Sequence, residues 1–199
     1  MKHLLSLLML VPALALSQPR YTELKPTQPI ESPGKIEVIE FFWYGCPHCY
    51  TLEPYIESWV KKLPPDAQFR RVPAIFNERW AHDARIFYTF EAMGVLEKVH
   101  RPFFDAIHRD RLRTDNPEAL AEWLQKQGID QKKFDDTFKS FGVQSRTRRA
   151  TQLTVAYKID GTPAMAVQGR YTVSAEQAGS QAGMLQTVDF LVDQIRKQK

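Results

Sequence analysis

Residues 36–43 (Ile-Glu-Val-Ile-Glu-Phe-Phe-Trp) carry apolar side chains on both alternating faces and lead straight into Cys46-Pro47-His48-Cys49. Ile36, Val38 and Phe42 lie on one face and Ile39, Phe41 and Trp43 on the other, the pattern of a central strand covered on both sides. Only Glu40 interrupts the first face. Residues 47–62 then read as a helix with proline in its first turn, where a missing N–H costs nothing, and with Leu52, Tyr55, Ile56, Trp59 and Leu63 as its apolar stripe. Pro54 should kink it. The chain has no cysteines besides Cys46 and Cys49, and a lone close-spaced pair can be a redox centre, half a metal site or a structural staple.

The amino terminus bears on that choice. Met1-Lys2-His3 is a short basic start, residues 4–16 are apolar except for Ser6 and Pro12, and Ala13-Leu14-Ala15 has the small-x-small pattern of a signal-peptidase site. Residues 1–17 are therefore expected to be a signal peptide, with cleavage after Ala15 or after Ser17. The interrupted apolar run is too short for a helix of roughly 20 residues that crosses a bilayer, and no cysteine follows it to carry a lipid until Cys46. A soluble, exported protein is expected. At 199 residues such a chain can bury an adequate core without staples. A disulfide closing so short a loop also constrains the unfolded chain little. Chemistry, redox or metal-binding, is what remains.

The other elements follow from periodicity. Residues 17–34 are proline-rich and polar, with a short edge strand near residues 21–24, and residues 69–72 make a second main strand. Helical periods take over across residues 78–157. Trp80, Ala84, Phe87 and Tyr88 form one stripe, and Leu96, Val99, Phe103 and Ile107 another that Pro102 breaks or bends. Asn116-Pro117-Glu118 starts a helix that buries Leu120, Trp123 and Leu124 and stops at Gly128. Asp130 opens the next, with Phe134, Phe138 and Phe141 assigned to the core. His82, His100 and His108 share no metal-ligand spacing and read as structural. After Gly161, residues 164–167 and 170–173 flank Gln168-Gly169 as a hairpin with a two-residue turn. Met184, Leu185, Val188, Leu191, Val192 and Ile195 then give a closing amphipathic helix. A parallel strand-helix-strand unit followed by an antiparallel hairpin implies one mixed α/β sheet with a helical block inserted between its halves. The expected divisions are 1–17, 18–77, 78–157 and 158–199.

The formal charge of +4 becomes +3 when Lys2 leaves. The arginines at 109, 111 and 113 and at 146, 148 and 149 sit among polar residues on solvated helix faces, so nucleic acid is not indicated.

At the start of a helix, Cys46 faces unsatisfied N–H groups that stabilise a thiolate, so its pKa is expected to be low. Cys49, one turn in on the same side, can reach Cys46 but is less exposed. His48 can donate to the sulfur or, when protonated, offset its charge; an exposed histidine in a turn is the plainer alternative. A metal site would need two further ligands, and no second Cys or His pair supplies them. Tyr50 after Cys49 breaks the c-type haem signature.

Glu40-Phe41-Phe42, Cys46-Pro47-His48-Cys49-Tyr50 and Thr162-Pro163-Ala164-Met165 resemble the DsbA family of bacterial periplasmic thiol:disulfide oxidoreductases. The resemblance implies a thioredoxin-like fold with an inserted helical domain over nearly the whole mature chain; in the helical block it is one of layout and size. It makes Cys46 the nucleophilic, solvent-facing cysteine, Cys49 its buried partner and Pro47-His48 the dipeptide that sets their redox balance. Thr162-Pro163 becomes a cis-proline loop whose backbone docks extended substrate by strand addition. Glu40 becomes the buried carboxylate beneath the disulfide, with a glutamate turned to water at the strand's end as the alternative. Threonine, not valine, precedes the proline, and Trp43-Tyr44-Gly45 fills the approach to Cys46; these differences bear on potential and substrate preference.

The resemblance implies donation of the Cys46-Cys49 disulfide to reduced exported proteins in the periplasm through a mixed disulfide. No nicotinamide or flavin fingerprint is present, so no cofactor is expected and electrons pass to a DsbB-like, quinone-linked membrane protein. The alternatives are a periplasmic reductase or isomerase and a peptide-binding chaperone without redox turnover. Isomerases resembling this fold carry a preceding dimerisation domain, for which residues 17–34 are too short, so a monomer is expected.

Overall fold

A computed structural model describes residues 20–198; the expected signal peptide, residues 1–17, lies outside them. β1 (Thr22–Glu23) is a short edge strand, β2 (Ile36–Phe42) the long apolar one, α1 (Pro47–Val60) the helix after the cysteine motif and β3 (Ala67–Pro73) the return strand. The helical block contains α2 (Glu78–Ala92), α3 (Leu96–His108), α4 (Pro117–Lys126), α5 (Gln131–Phe138) and α6 (Phe141–Ala156). β4 (Ala164–Val167), β5 (Tyr171–Ser174), a single-turn α7 (Ala175–Ala178) and α8 (Gln181–Arg196) complete the chain. The sheet order is β1-β5-β4-β2-β3, with β2 parallel to β3 and antiparallel to β4.

β2 is buried along its whole length because both faces are covered. Ile36 and Val38 pack with Met165, Val167 and the inner stripes of α1 (Leu52, Ile56, Trp59) and α8 (Met184, Val188, Leu191). Ile39 and Phe41 join the aromatic cluster of the helical block. Phe42, placed by alternation on the first face, instead meets Tyr44, Phe87, His100 and Phe104, because the helical block wraps over that end of the strand. Glu37 is a second buried carboxylate that the strand's apolar reading passed over; it is held by Arg70 on β3 at 3.1 Å.

Several sequence expectations need correcting. α3 continues through Pro102, so that proline does not break its helix. Tyr55 is 63% exposed and no part of the core. Phe141 is 78% exposed, because Ser140 caps a new helix there and turns that residue outward, while Phe138 is only partly buried. The hairpin loop has three residues, not two: Val167 pairs with Tyr171, and Arg170 N–H closes a turn onto Val167 with Gln168 and Gly169 both at positive φ. A Cβ on Gly169 would lie 2.1 Å from the Gln28 carbonyl, so only glycine lets the hairpin tip pair with the leader segment.

Candidate active site

The site begins with a turn. β2 ends at Phe42, Cys46 N–H bonds back to Trp43 O at 3.0 Å, and Cys46 becomes the N-cap of α1 with φ −83° and ψ 116°. In that position its Sγ accepts from the backbone N–H of Cys49 at 3.3 Å, satisfying one of the donors a helix start leaves free. Pro47 sits at the start of the helix, where proline removes a donor that has no acceptor.

Pairing of β2 with β4 brings in a distant loop. Phe41 lies opposite Ala164, which sets Thr162 and Pro163 beside the cysteines. The Thr162–Pro163 peptide is cis, the isomer the resemblance implies. The Cys46 thiol donates to Thr162 O at 3.3 Å, so that carbonyl is engaged in the dithiol form. This contact also corrects the expected exposure. Cys46 is only 6% exposed under the loop, against 0% for Cys49, while Pro47 and His48 are open to solvent.

The surroundings drive the two thiols apart. A hydrogen bond from Cys49, helped by the Thr162 side chain and the backbone N–H groups of Cys49 and His48, brings Cys46 down to about 5 in spite of its burial. Burial, with the neighbouring Cys46, pushes Cys49 well above the usual thiol range. His48 acts on the sulfur through its backbone, and among the described residues no hydrogen bond joins its imidazole to Sγ. Its carbonyl accepts from Thr51 Oγ1 within α1 at 3.1 Å and from Gln181 Nε2 at 2.7 Å, the second of which ties the turn to α8.

Glu40 does not turn to water: it is 1% exposed, with Oε2 3.2 Å from Arg71 Nε and neither oxygen in an aligned hydrogen bond. Burial raises its carboxyl to about 8 against the attraction of Arg71, and Glu53 adds to the rise. Sequence reading missed its partners. Arg71 is the parallel neighbour of Glu40 in the strand register, and it also pairs with the buried Glu53 of α1. Glu53 Oε1 lies 3.5 Å from His100 Nε2, and His100 Nδ1 lies 2.8 Å from the Tyr44 hydroxyl. One signal was available: Glu53 falls four residues after Cys49, on the inward stripe of α1.

A groove leads away from the disulfide position. A 490 Å³ cleft lined by His48, Thr162, Pro163, Ser174 and Gln181 adjoins a 430 Å³ apolar cleft lined by Leu52, Tyr55, Ala182 and Leu185. Its border accounts for the exposed Tyr55.

A cysteine pair at a strand-to-helix turn, with its first thiol acidic, its second buried and a cis-proline loop across it, on a sheet of this order with a helical insertion, defines a thioredoxin-like thiol:disulfide oxidoreductase. The sequence profile of the DSBA-like thioredoxin domain matches residues 71–195, and the chain belongs to that family. The thiol:disulfide interchange protein DsbA of Azotobacter vinelandii is 48% identical over 89% of this chain and 83% of its own. That of Pseudomonas aeruginosa is 42% identical over 88% of this chain and 83% of its own. The crystal structure of Pseudomonas aeruginosa DsbA superposes with a TM-score of 0.85 at 41% identity, covering 89% of this chain and 93% of that one. Oxidoreductase DsbA from Xylella fastidiosa gives 0.83 at 31% identity, covering 89% and 96%.

Proposed function

We propose that the chain is a monomeric oxidase that donates the Cys46-Cys49 disulfide to newly exported proteins in the periplasm, residues 1–17 being the export signal. Residues 18–77 and 158–199 form the thioredoxin-like part and residues 78–157 the inserted helical unit. No helix of the described residues is long and apolar enough to cross a membrane. The observation that carries this reading is the separation of the thiols, with Cys46 near 5 and Cys49 far above it.

In the oxidised enzyme a substrate thiolate attacks the sulfur of Cys46. The Cys46-Cys49 bond breaks, Cys49 takes the electron pair, and a mixed disulfide forms. The substrate's second thiolate then attacks its own sulfur in the mixed disulfide and expels Cys46. The substrate keeps the disulfide and the enzyme holds two electrons. A good leaving group is a stable anion, which is what the N-cap makes of Cys46. Cys49 leaves into a buried site that disfavours its charge and so takes up a proton. Glu40, protonated below about 8, is the neighbouring carboxyl able to supply it. The backbone at Thr162-Pro163 and the groove beyond receive the extended substrate, and Pro47-His48 tune the pair. A DsbB-like, quinone-linked membrane protein takes the two electrons and restores the disulfide.

A redox titration of the pair against glutathione tests the direction of transfer. The expected equilibrium lies far toward the dithiol; a strongly reducing pair would overturn the oxidase reading in favour of a reductase. Glu40→Gln tests the proton role. It should slow exchange by up to about 100-fold and remove the pH inflection near 8. Because the folded carboxyl titrates above its ordinary value of 4.5, its ionisation costs stability as pH rises from 4.5 through 8. The variant should therefore be more stable than wild type above that range, by up to about 5 kcal/mol. Unchanged exchange rates and pH profile would remove Glu40 from the mechanism.

A further inference from the structure

Trp43-Tyr44-Gly45, the turn that delivers Cys46, is fastened to the helical block. Trp43 Nε1 donates to Asp83 Oδ2 of α2 at 2.7 Å, and its ring stacks on Trp80 with centroids 4.2 Å apart. Tyr44 is held at two atoms by α3. Its buried hydroxyl lies 2.8 Å from His100 Nδ1, and its carbonyl lies 2.8 Å from His108 Nε2. A carbonyl only accepts, so His108 carries its proton on Nε2. That ring is fixed in turn by stacking on Tyr50, 4.7 Å away and 7° from parallel, whose hydroxyl donates to Asp105 at 2.7 Å. The Glu53 carboxylate faces Nε2 of His100 at 3.5 Å and only accepts, which puts the proton on Nε2 and makes Nδ1 the acceptor from the Tyr44 hydroxyl. Burial keeps His100 below its usual range and so neutral.

These contacts bear on the sulfur. Tyr44 and Gly45 are the central residues of the turn closed by the Cys46 N–H onto Trp43 O, and that turn sets the backbone of the N-cap. The Cys46 Sγ accepts from Cys49 N–H at 3.3 Å, close for a sulfur acceptor, and a shift of the turn that carries the N-cap lengthens and misaligns that contact.

We infer that His100 and His108 are positioning residues for the exchanging thiol: by gripping the two ends of Tyr44 they fix the turn that holds Cys46 at the helix N-cap. The helical block thereby sets how well the thiolate is stabilised, although both cysteines belong to α1 and its cap. The inference rests on the reading of Cys46 as the thiolate of the exchange reaction.

His108→Phe keeps a ring to stack on Tyr50 and removes only the donor to Tyr44. Two readouts apply, the ultraviolet titration of the Cys46 thiolate and the equilibrium with glutathione. The expected result is a midpoint raised by about one pH unit and an equilibrium displaced about tenfold toward the enzyme disulfide. His108→Gln, whose amide nitrogen can donate in place of Nε2, should restore both, and Tyr44→Phe should move both the same way by less. Wild-type values in folded His108→Phe and Tyr44→Phe would overturn the inference. If His108→Phe does not fold, Tyr44→Phe decides alone, since it removes a single oxygen and an unchanged titration overturns the claim. A wild-type midpoint in the ordinary thiol range would instead refute the assignment of Cys46 on which the inference rests.

Discussion

A Cys46→Ser protein is expected to fold and to donate no disulfide at all, whereas Cys49→Ser should keep a reactive thiol and become trapped on its substrates. The asymmetry follows from the two environments. Cys46 is the sulfur made acidic at the helix N-cap, and Cys49 is fully buried beneath it. Offered a disulfide-bonded peptide, Cys49→Ser attacks through Cys46 and stops at the mixed disulfide, because the neighbouring thiol that would release it is gone. Such a neighbour has an effective concentration that an external thiol cannot match, so adduct lifetimes should lengthen by about a thousandfold or more. Non-reducing electrophoresis with mass analysis reads the adducts directly. A Cys46→Ser protein that still promoted folding would point to a peptide-binding chaperone, and equal reactivity of the two single-cysteine variants would contradict the assigned roles.

The stability of the reduced protein should rise relative to the oxidised protein as pH increases from about 5 to 9. Only the reduced form has a Cys46 thiol to ionise, and folding lowers it from 9.0 to about 5. A depressed pKa stabilises the fold fully above the unfolded value and loses that contribution as pH falls through the folded one. Between those limits the difference in unfolding free energy should grow by about 1.4 kcal/mol per pH unit. Closing the short disulfide loop offsets this by about 2 kcal/mol in favour of the oxidised form. The order of stabilities should therefore invert: oxidised above reduced near pH 4 and reduced above oxidised near pH 9. Denaturant unfolding of both forms across that range provides the measurement, and a difference independent of pH would mean that the Cys46 thiolate is not stabilised by the fold. A reduced form that gains stability on folding is also what makes the disulfide a ready donor.

Much of this was legible in local pattern. The fully buried β2, the helix start at Pro47 and the capping residues Asn116 and Asp130 all follow from short-range rules that the tertiary structure did not override. Errors arose where a residue's surroundings come from elsewhere in the chain. Tyr55 has the spacing of a core residue, but α8 leaves it on the rim of a groove, and Phe141 lost its place in the core when Ser140 opened a new helix. Glu40 could be flagged as a charge in an apolar strand, yet only strand pairing supplies Arg71 and only helix packing adds Glu53.

By itself the sequence determined the order of the strands around a helical block, the helix-start setting of Cys46 and, through its resemblance to a family, the chemistry of the pair. Backbone propensity, apolar period and cysteine spacing act over a few residues, so one chain suffices to read them. The tertiary structure decided that Cys46 lies under the Thr162 loop and that α3 holds the turn before it. Those outcomes depend on groups 116 and 64 residues distant in the chain, brought within hydrogen-bond reach by sheet register and helix packing. Hydrogen bonds and desolvation act only at contact, so no local pattern records them.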